Sequence, residues 1–309
     1  MYSVQVNGYF IYMYIKEFEA YLTHEKNYSK HTIHAYVADV DSFNQFLQED
    51  RSEVVIDEAI YTDIRYWIVH LVDSGLTNRT INRKIASLKA YYSFVLQIGV
   101  REANPLAYHQ PLKVDHKVQV PFSQKEMTEA LKPLANYSDF NSVRNLLIIS
   151  LLYATGIRRA ELIGLKKSAV NLEGKNIRVV GKGNKERIIP LLPWCAELIK
   201  DYLLLRVEIP NAEDIDNLLL TERGKPIYPS LVYRVVKETF NQVSAKQTKS
   251  PHIIRHTFAT HLLDEGADLM TIKELLGHTS LASTQVYTYN SMKKLKRVYN
   301  AAHPRNKNN

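Results

Sequence analysis

Cysteine is almost missing from this chain: there is one, Cys195, in 309 residues. Internal disulfides are therefore excluded, and the composition fits a reducing compartment, the cytoplasm. Beside Pro193 and Trp194, this thiol reads as packing. Long apolar runs are missing too. None approaches the roughly 18–20 residues of a membrane span, and the opening MYSVQVNGYFIYMYIKEF lacks the basic stretch of a signal peptide. No membrane partner is expected. Nucleotide signatures are also lacking. Gly181-Lys182-Gly183 has no Ser or Thr after its lysine, as a phosphate loop needs, and no third glycine, as a dinucleotide site needs. The histidines His252, His256, His261 and His278 could suggest zinc, because four-residue spacing on a helix lets two imidazoles share an ion. H-E-x-x-H and cysteine ligands are absent, so zinc is disfavoured, no cofactor is expected, and His256 and His261 are assigned to packing and support.

What the chain does have is basic charge, unevenly placed. Net charge is +8; residues 1–110 hold 10 Lys and Arg against 13 Asp and Glu, and the remainder hold 30 against 19. A basic C-terminal part suits a polyanion such as DNA, although solubility is the commoner reason for such charge. Hydrophobic content of 45% and charged content of 23% belong to a globular protein with room for two domains.

Apolar residues spaced three and four apart predict four helices over residues 11–98. The first carries Phe18, Tyr21 and Leu22. Ser29 caps the second, with Ile33, Val40, Phe43 and Leu47. The third is expected from Asp57 to Asp73, stopping at Ser74-Gly75. The fourth follows Thr77 and carries Ile81, Ile85, Leu88, Tyr92 and Val95. The run 104–121 has three prolines and no period, which predicts a linker. Expected boundaries are a helical domain over 9–99, a linker over 100–120 and a second domain over 121–304. In the second domain, Ser123 and Glu126 form a capping box, Asn145–Tyr153 reads as a buried helix, and Gly156 ends it. Lys175 to Leu191 reads as a β-hairpin with a glycine-rich tip, and the chain is helical again from Trp194.

Residues 250–289 hold the densest chemistry. Ser250 caps a helix with Pro251 in its first turn, where free N–H groups favour a phosphate. His252 and Arg255 fall in that turn, while Ile254, Phe258 and Leu262 form a buried stripe that stops at Gly266. A second short helix, Leu269 to Leu276, ends at Gly277. His278 follows it, and Tyr287 comes nine residues later. A phenol is only about one part in a thousand ionised at neutral pH. Surrounding cations would favour the phenolate and also suit an anionic transition state.

Five stretches together resemble the signature of the tyrosine recombinases, the phage integrase family, and its Xer type in particular. They are A-T-G-I-R-R-A-E-L around Arg158, G-K-G-N-K-E-R around Lys182, H-x-x-R-H-T-F-A-T-H-L-L from His252, L-L-G-H ending at His278 and T-Q-V-Y ending at Tyr287. The resemblance runs from about Phe18 to Pro304. It implies a mostly α fold: an N-terminal helical bundle (the core-binding, SAM-like domain) and an α-rich catalytic domain with a small antiparallel sheet. It implies six catalytic residues, Arg158, Lys182, His252, Arg255, His278 and Tyr287. Tyr287 would attack the scissile phosphate and leave a 3′-phosphotyrosyl link. Arg158 and Arg255 would grip the phosphate, and Lys182 would protonate the leaving 5′-oxygen. His252 would assist proton transfer, and His278 would support the phosphate by hydrogen bonding. Arg159, which the motif does not require, is read as structural or as a DNA-backbone contact.

The partner implied is double-stranded DNA with a specific recombination site. A tetramer would assemble on two such sites, alone or with a second related recombinase. The terminus KLKRVYNAAHPR resembles a Xer terminus, which favours chromosome-dimer resolution at cell division. The alternative is a phage, transposon or invertible-element recombinase. A DNA-binding regulator with a decayed site is disfavoured because every catalytic position is present, and a metal-dependent nuclease because its motifs are missing. Lys30 and His31, or Asn78, Arg79, Asn82 and Arg83, could face DNA or simply water. Ser291 would cap a last helix whose apolar face (Met292, Leu295, Val298, Tyr299) docks on a neighbouring protomer, so truncation after Asn290 is expected to leave a folded monomer.

Overall fold

A computed structural model describes residues 4–50, 54–114, 119–132, 139–181, 184–277, 298–299 and 301–306, with backbone alone for 4–13 and 306. Two compact units divide the chain, Met1–Lys117 and Val118–Asn309. Among the described residues no helix is long and apolar enough to cross a membrane.

Unit 1 holds four helices, α1 (Val4–His24), α2 (Lys30–Asp50), α3 (Tyr61–Asp73) and α4 (Asn78–Gln97). Ser29 Oγ accepts from Thr32 N–H at 3.3 Å and Thr77 Oγ1 from Thr80 N–H at 3.3 Å, so both helix starts are capped where the sequence places them. The apolar stripes meet in one core with Phe18, Phe43, Leu47, Trp67, Leu88 and Tyr92 at its centre. The third helix begins four residues later than expected. Asp57 lies in a turn and accepts the Tyr91 hydroxyl at 2.6 Å. The carboxylate that serves the helix start is Asp63, which accepts the Ile60 N–H at 2.9 Å. A buried phenol competed for Asp57 and took it from capping duty.

The start of the proline-bearing run is strapped to α4. Leu106 is fully buried in this core. Asn82 Nδ2 donates to Leu112 C=O at 2.8 Å while Leu112 N–H donates back to Asn82 Oδ1 at 2.8 Å, and Asn78 Nδ2 donates to Lys113 C=O at 2.8 Å.

Unit 2 begins with α5 (Gln124–Leu131), started by the expected Ser123–Glu126 box. At its centre is α6 (Phe140–Thr155), whose residues 146–155 are all buried, packed against α8 (Pro193–Arg206) and α10 (Pro251–Asp264). Between α6 and α8 come α7 (Arg159–Gly164) and an antiparallel sheet of β1 (Val170–Asn171), β2 (Asn176–Val180) and β3 (Glu186–Pro190) in that order. The hairpin pairs Asn176 with Pro190 and Val180 with Glu186. Strand β1 was not expected, because two residues show no alternation. Unit 2 also holds α9 (Pro229–Asn241) and α11 (Leu269–Leu276). Cys195 is fully buried and its thiol is pushed up to about 12 by burial, in keeping with packing.

The C-terminal expectation needs correction. Tyr299 and Ala302 are buried in the core of their own unit, and the Tyr299 hydroxyl donates to the Ala154 carbonyl near the end of α6. His303 is fully buried with Nε2 3.3 Å from the Tyr153 carbonyl oxygen. A side chain this apolar buries itself in the nearest available groove, and that groove is in cis. Residues 291–297 of the expected last helix lie outside the described residues.

Candidate active site

The end of α6 and the end of α11 meet through arginine. Gly156 closes α6 with φ of +61°, and an added Cβ there would lie 2.3 Å from Phe258 Cδ1, so only glycine fits. Arg255, in the first turns of α10, is buried; its Nη1 donates to Gly156 C=O at 2.5 Å and its Nη2 to Leu276 C=O at 2.8 Å. Arg158 is the residue just before α7. Its Nη1 donates to Glu161 Oε1 at 2.9 Å and its Nη2 to Gly277 C=O at 3.3 Å. A third arginine, Arg187 on β3, donates through Nε to Leu275 C=O at 3.0 Å and through both Nη atoms to Glu161 at 2.9 and 2.8 Å.

The carbonyls of Leu275, Leu276 and Gly277 are the unpaired acceptors at the negative end of α11. Each receives one guanidinium. Glu161 pairs with Arg158 and Arg187, Arg255 is held by carbonyls alone, and the surplus of the cluster is positive. Burial lowers Arg255 to about 10, and the charges of Arg158 and Arg187 push the same way, against Glu161. Burial alone would raise the Glu161 carboxyl; hydrogen bonds from the Arg187 side chain and the Arg158 N–H outweigh it and hold it below the usual range. The cluster is charged, held rigidly and half open at Arg158, whose side chain is 39% exposed. Guanidiniums in such an arrangement suit an anion of phosphate shape.

The sequence places six residues here, and the structure describes three. Arg158 and Arg255 converge on the end of α11. His252 is exposed on the first turn of α10 while Arg255 is buried, so the two share a turn but not a depth. Lys182, His278 and Tyr287 lie outside the described residues. The residues preceding the first two are described: an added Cβ on Gly181, just before Lys182, would sit 3.4 Å from Glu161 Oε1, and one on Gly277, just before His278, 3.1 Å from Arg187 Cδ.

Two readings are corrected. His256 is exposed rather than packed, whereas His261 is buried with its Nδ1 2.9 Å from the Tyr153 hydroxyl. Of the side chains considered for DNA, Asn78 and Asn82 bind backbone of the proline-bearing run. Arg83 is paired with Asp39 at 2.5 Å, and Lys30, His31 and Arg79 are exposed. Glu161 and Arg187 were missed. The signal for Arg187 was its place two before Ile189 on the inward face of β3, where a charge is out of pattern.

Residues 121–294 match the Phage integrase family and residues 15–99 match the Phage integrase, N-terminal SAM-like domain. The chain belongs to the phage integrase family, the tyrosine recombinases, and is a DNA strand-exchange enzyme. Within that family it is Xer-type. It is 37% identical over 291 residues to the tyrosine recombinase XerC of Bacillus licheniformis, across 93% of this chain and 95% of that one. To the XerC of Chlorobaculum parvum it is 34% identical over 316 residues, across 94% of each. The fold is shared with the integrase of transposon Tn1549, solved in complex with transposon right end DNA: the TM-score is 0.67 at 22% identity, covering 92% of this chain and 99% of that one.

Proposed function

We propose that this protein cuts and rejoins double-stranded DNA at a specific site through a covalent 3′-phosphotyrosyl intermediate on Tyr287, and that it resolves chromosome dimers at cell division in the cytoplasm. The observation that carries the chemistry is the convergence of Arg158 and Arg255 on successive carbonyls at the end of α11, directly before His278. Two guanidiniums fixed there can grip the non-bridging oxygens of a phosphodiester and stabilise the added negative charge of its transition state. Tyr287 is the nucleophile, and His252, exposed beside Arg255, assists proton transfer. Lys182, at the tip entered through Gly181, protonates the leaving 5′-oxygen. His278 supports the phosphate. Conserving the bond in the phosphotyrosyl link removes any need for ATP.

The chromosomal role draws on the 32–37% identity to XerC proteins over nearly the whole chain. In this reading residues 9–99 form the core-binding domain and 121–304 the catalytic domain. Lys30, His31 and Arg79 are the residues of unit 1 offered to DNA phosphates, and a tetramer assembles on two sites with or without a second recombinase. A nicked suicide duplex tests the chemistry. Wild-type protein should be trapped as an adduct and Tyr287→Phe should bind without forming one; adducts from that variant would end the assignment. On a 5′-bridging phosphorothioate, which leaves without a proton, Lys182→Ala should recover much of its lost rate. Failure of a strain lacking the protein to resolve chromosome dimers would support the cellular role, and normal resolution would remove it.

A further inference from the structure

Arg187 has no part in the chemistry proposed above, yet it is the best-connected side chain near it. It is 6% exposed, and each of its nitrogens has an acceptor: both Nη atoms on Glu161, and Nε on the Leu275 carbonyl. The partners of this one guanidinium belong to separate segments. Glu161 lies on α7 and also holds the Arg158 side chain at 2.9 Å. Leu275 lies in the last turn of α11, just before Gly277 and His278. Arg187 itself is on β3, the strand returning from the tip that carries Lys182, and an added Cβ on Gly181 would sit 3.5 Å from its Nη1. It therefore joins α7, the strand that follows Lys182 in the chain and the helix end that precedes His278.

Stability alone does not call for an arginine here. A buried ion pair is often replaceable by apolar side chains of similar volume without loss, and its neighbour on the same strand face, Ile189, is apolar. What an arginine adds is geometry: a planar fork that fixes a carboxylate by two parallel bonds while its third nitrogen holds a carbonyl.

We propose that Arg187 is a positioning residue for strand cleavage, which orients Arg158 through Glu161 and locks the hairpin against the last turn of α11. The inference rests on the recombinase reading of the site.

The test uses the full chain and a nicked suicide duplex chosen by wild-type adduct capture from a pool with randomised arms. Arg187→Lys keeps the charge but loses the fork. The double variant Arg187→Met, Glu161→Gln removes the pair at similar volume, and so guards against misfolding of the first. Both should melt close to wild type and bind the duplex unchanged, while adducts form about 10²-fold more slowly, the usual effect of a small misplacement of a reacting group. A methylphosphonate at the scissile position lacks the charge that Arg158 neutralises. On that duplex the deficits of Arg158→Ala and Arg187→Lys should shrink together. Wild-type rates in either Arg187 variant overturn the inference. So does a deficit that the methylphosphonate leaves unchanged while relieving Arg158→Ala, because Arg187 would then act on structure alone. Tyr287→Phe is run beside them. Adducts from that protein would instead sink the recombinase reading, and the inference with it.

Discussion

Each unit contains a buried carboxylate that holds two cations, and the two are built for different ends. In unit 1, Asp39 on α2 binds Arg83 and Lys84 of α4 and accepts the Ser87 hydroxyl at 2.8 Å. The three partners come from one helix within five residues, and Arg83 remains 48% exposed. In unit 2, Glu161 binds Arg158 and Arg187, 26 residues away on a strand, and those arginines continue to carbonyls of α11. The first network joins two neighbouring helices at the surface. The second joins segments far apart in sequence, and with Arg255 it gathers more positive charge than one carboxylate balances. A cation that only fastens helices can sit in water; cations in excess of their counter-charge are held in place by backbone carbonyls as well. The same contrast extends to the end of the chain, where unit 2 is closed by Tyr299 and His303.

The largest expected effect comes from removing that closure. Truncation after Asn290 takes Tyr299, Ala302 and His303 out of the core, and losing two fully buried rings should lower the stability of unit 2 by more than about 5 kcal/mol. Urea unfolding measures it, and an unchanged midpoint would mean the segment adds nothing in cis. Next is Glu161→Ala, which strands the buried Arg187 and should destabilise by about 3–5 kcal/mol. Asp39→Ala, the same deletion in unit 1, should be milder, about 2 kcal/mol, because Arg83 can turn to water. Hydrogen exchange in α4 and α7 would resolve the two, and equal losses would break the comparison. The smallest effect is in pH. Burial lowers His303 from the ordinary 6.5 to about 4. The unfolded chain therefore takes up a proton first, so the stability His303 confers is complete above pH 6.5 and is lost as pH falls toward 4. Near pH 5.5 this is about 1 kcal/mol. His303→Gln should flatten stability between those limits, and an unflattened profile would place the titration elsewhere.

The helices of both units were legible because their evidence is local. Apolar spacing, Ser29, Thr77, Ser123 and Ser250 as caps, and glycines at 156, 266 and 277 all act within a turn of themselves. The six candidate residues could be named because their motifs are short, and the structure brings Arg158 and Arg255 of them to one helix end. Legibility ended where side chains chose among distant partners. Asp57 was taken for a helix start until Tyr91 claimed it, and Asn82 was offered to DNA although it binds the Leu112 backbone. Tyr299 was offered to a neighbour although its own α6 receives it. The order of the helices, most of their caps and the charge excess were determined by the sequence itself. Only the tertiary structure decided that Arg255 is buried while His252 is exposed, that Arg187 bonds a carbonyl 88 residues away, and that three guanidiniums share the end of one helix. The reason is physical: a helix is specified by contacts three and four residues apart, whereas a buried charge is specified by whichever acceptors folding leaves unpaired, and those are not adjacent in the chain.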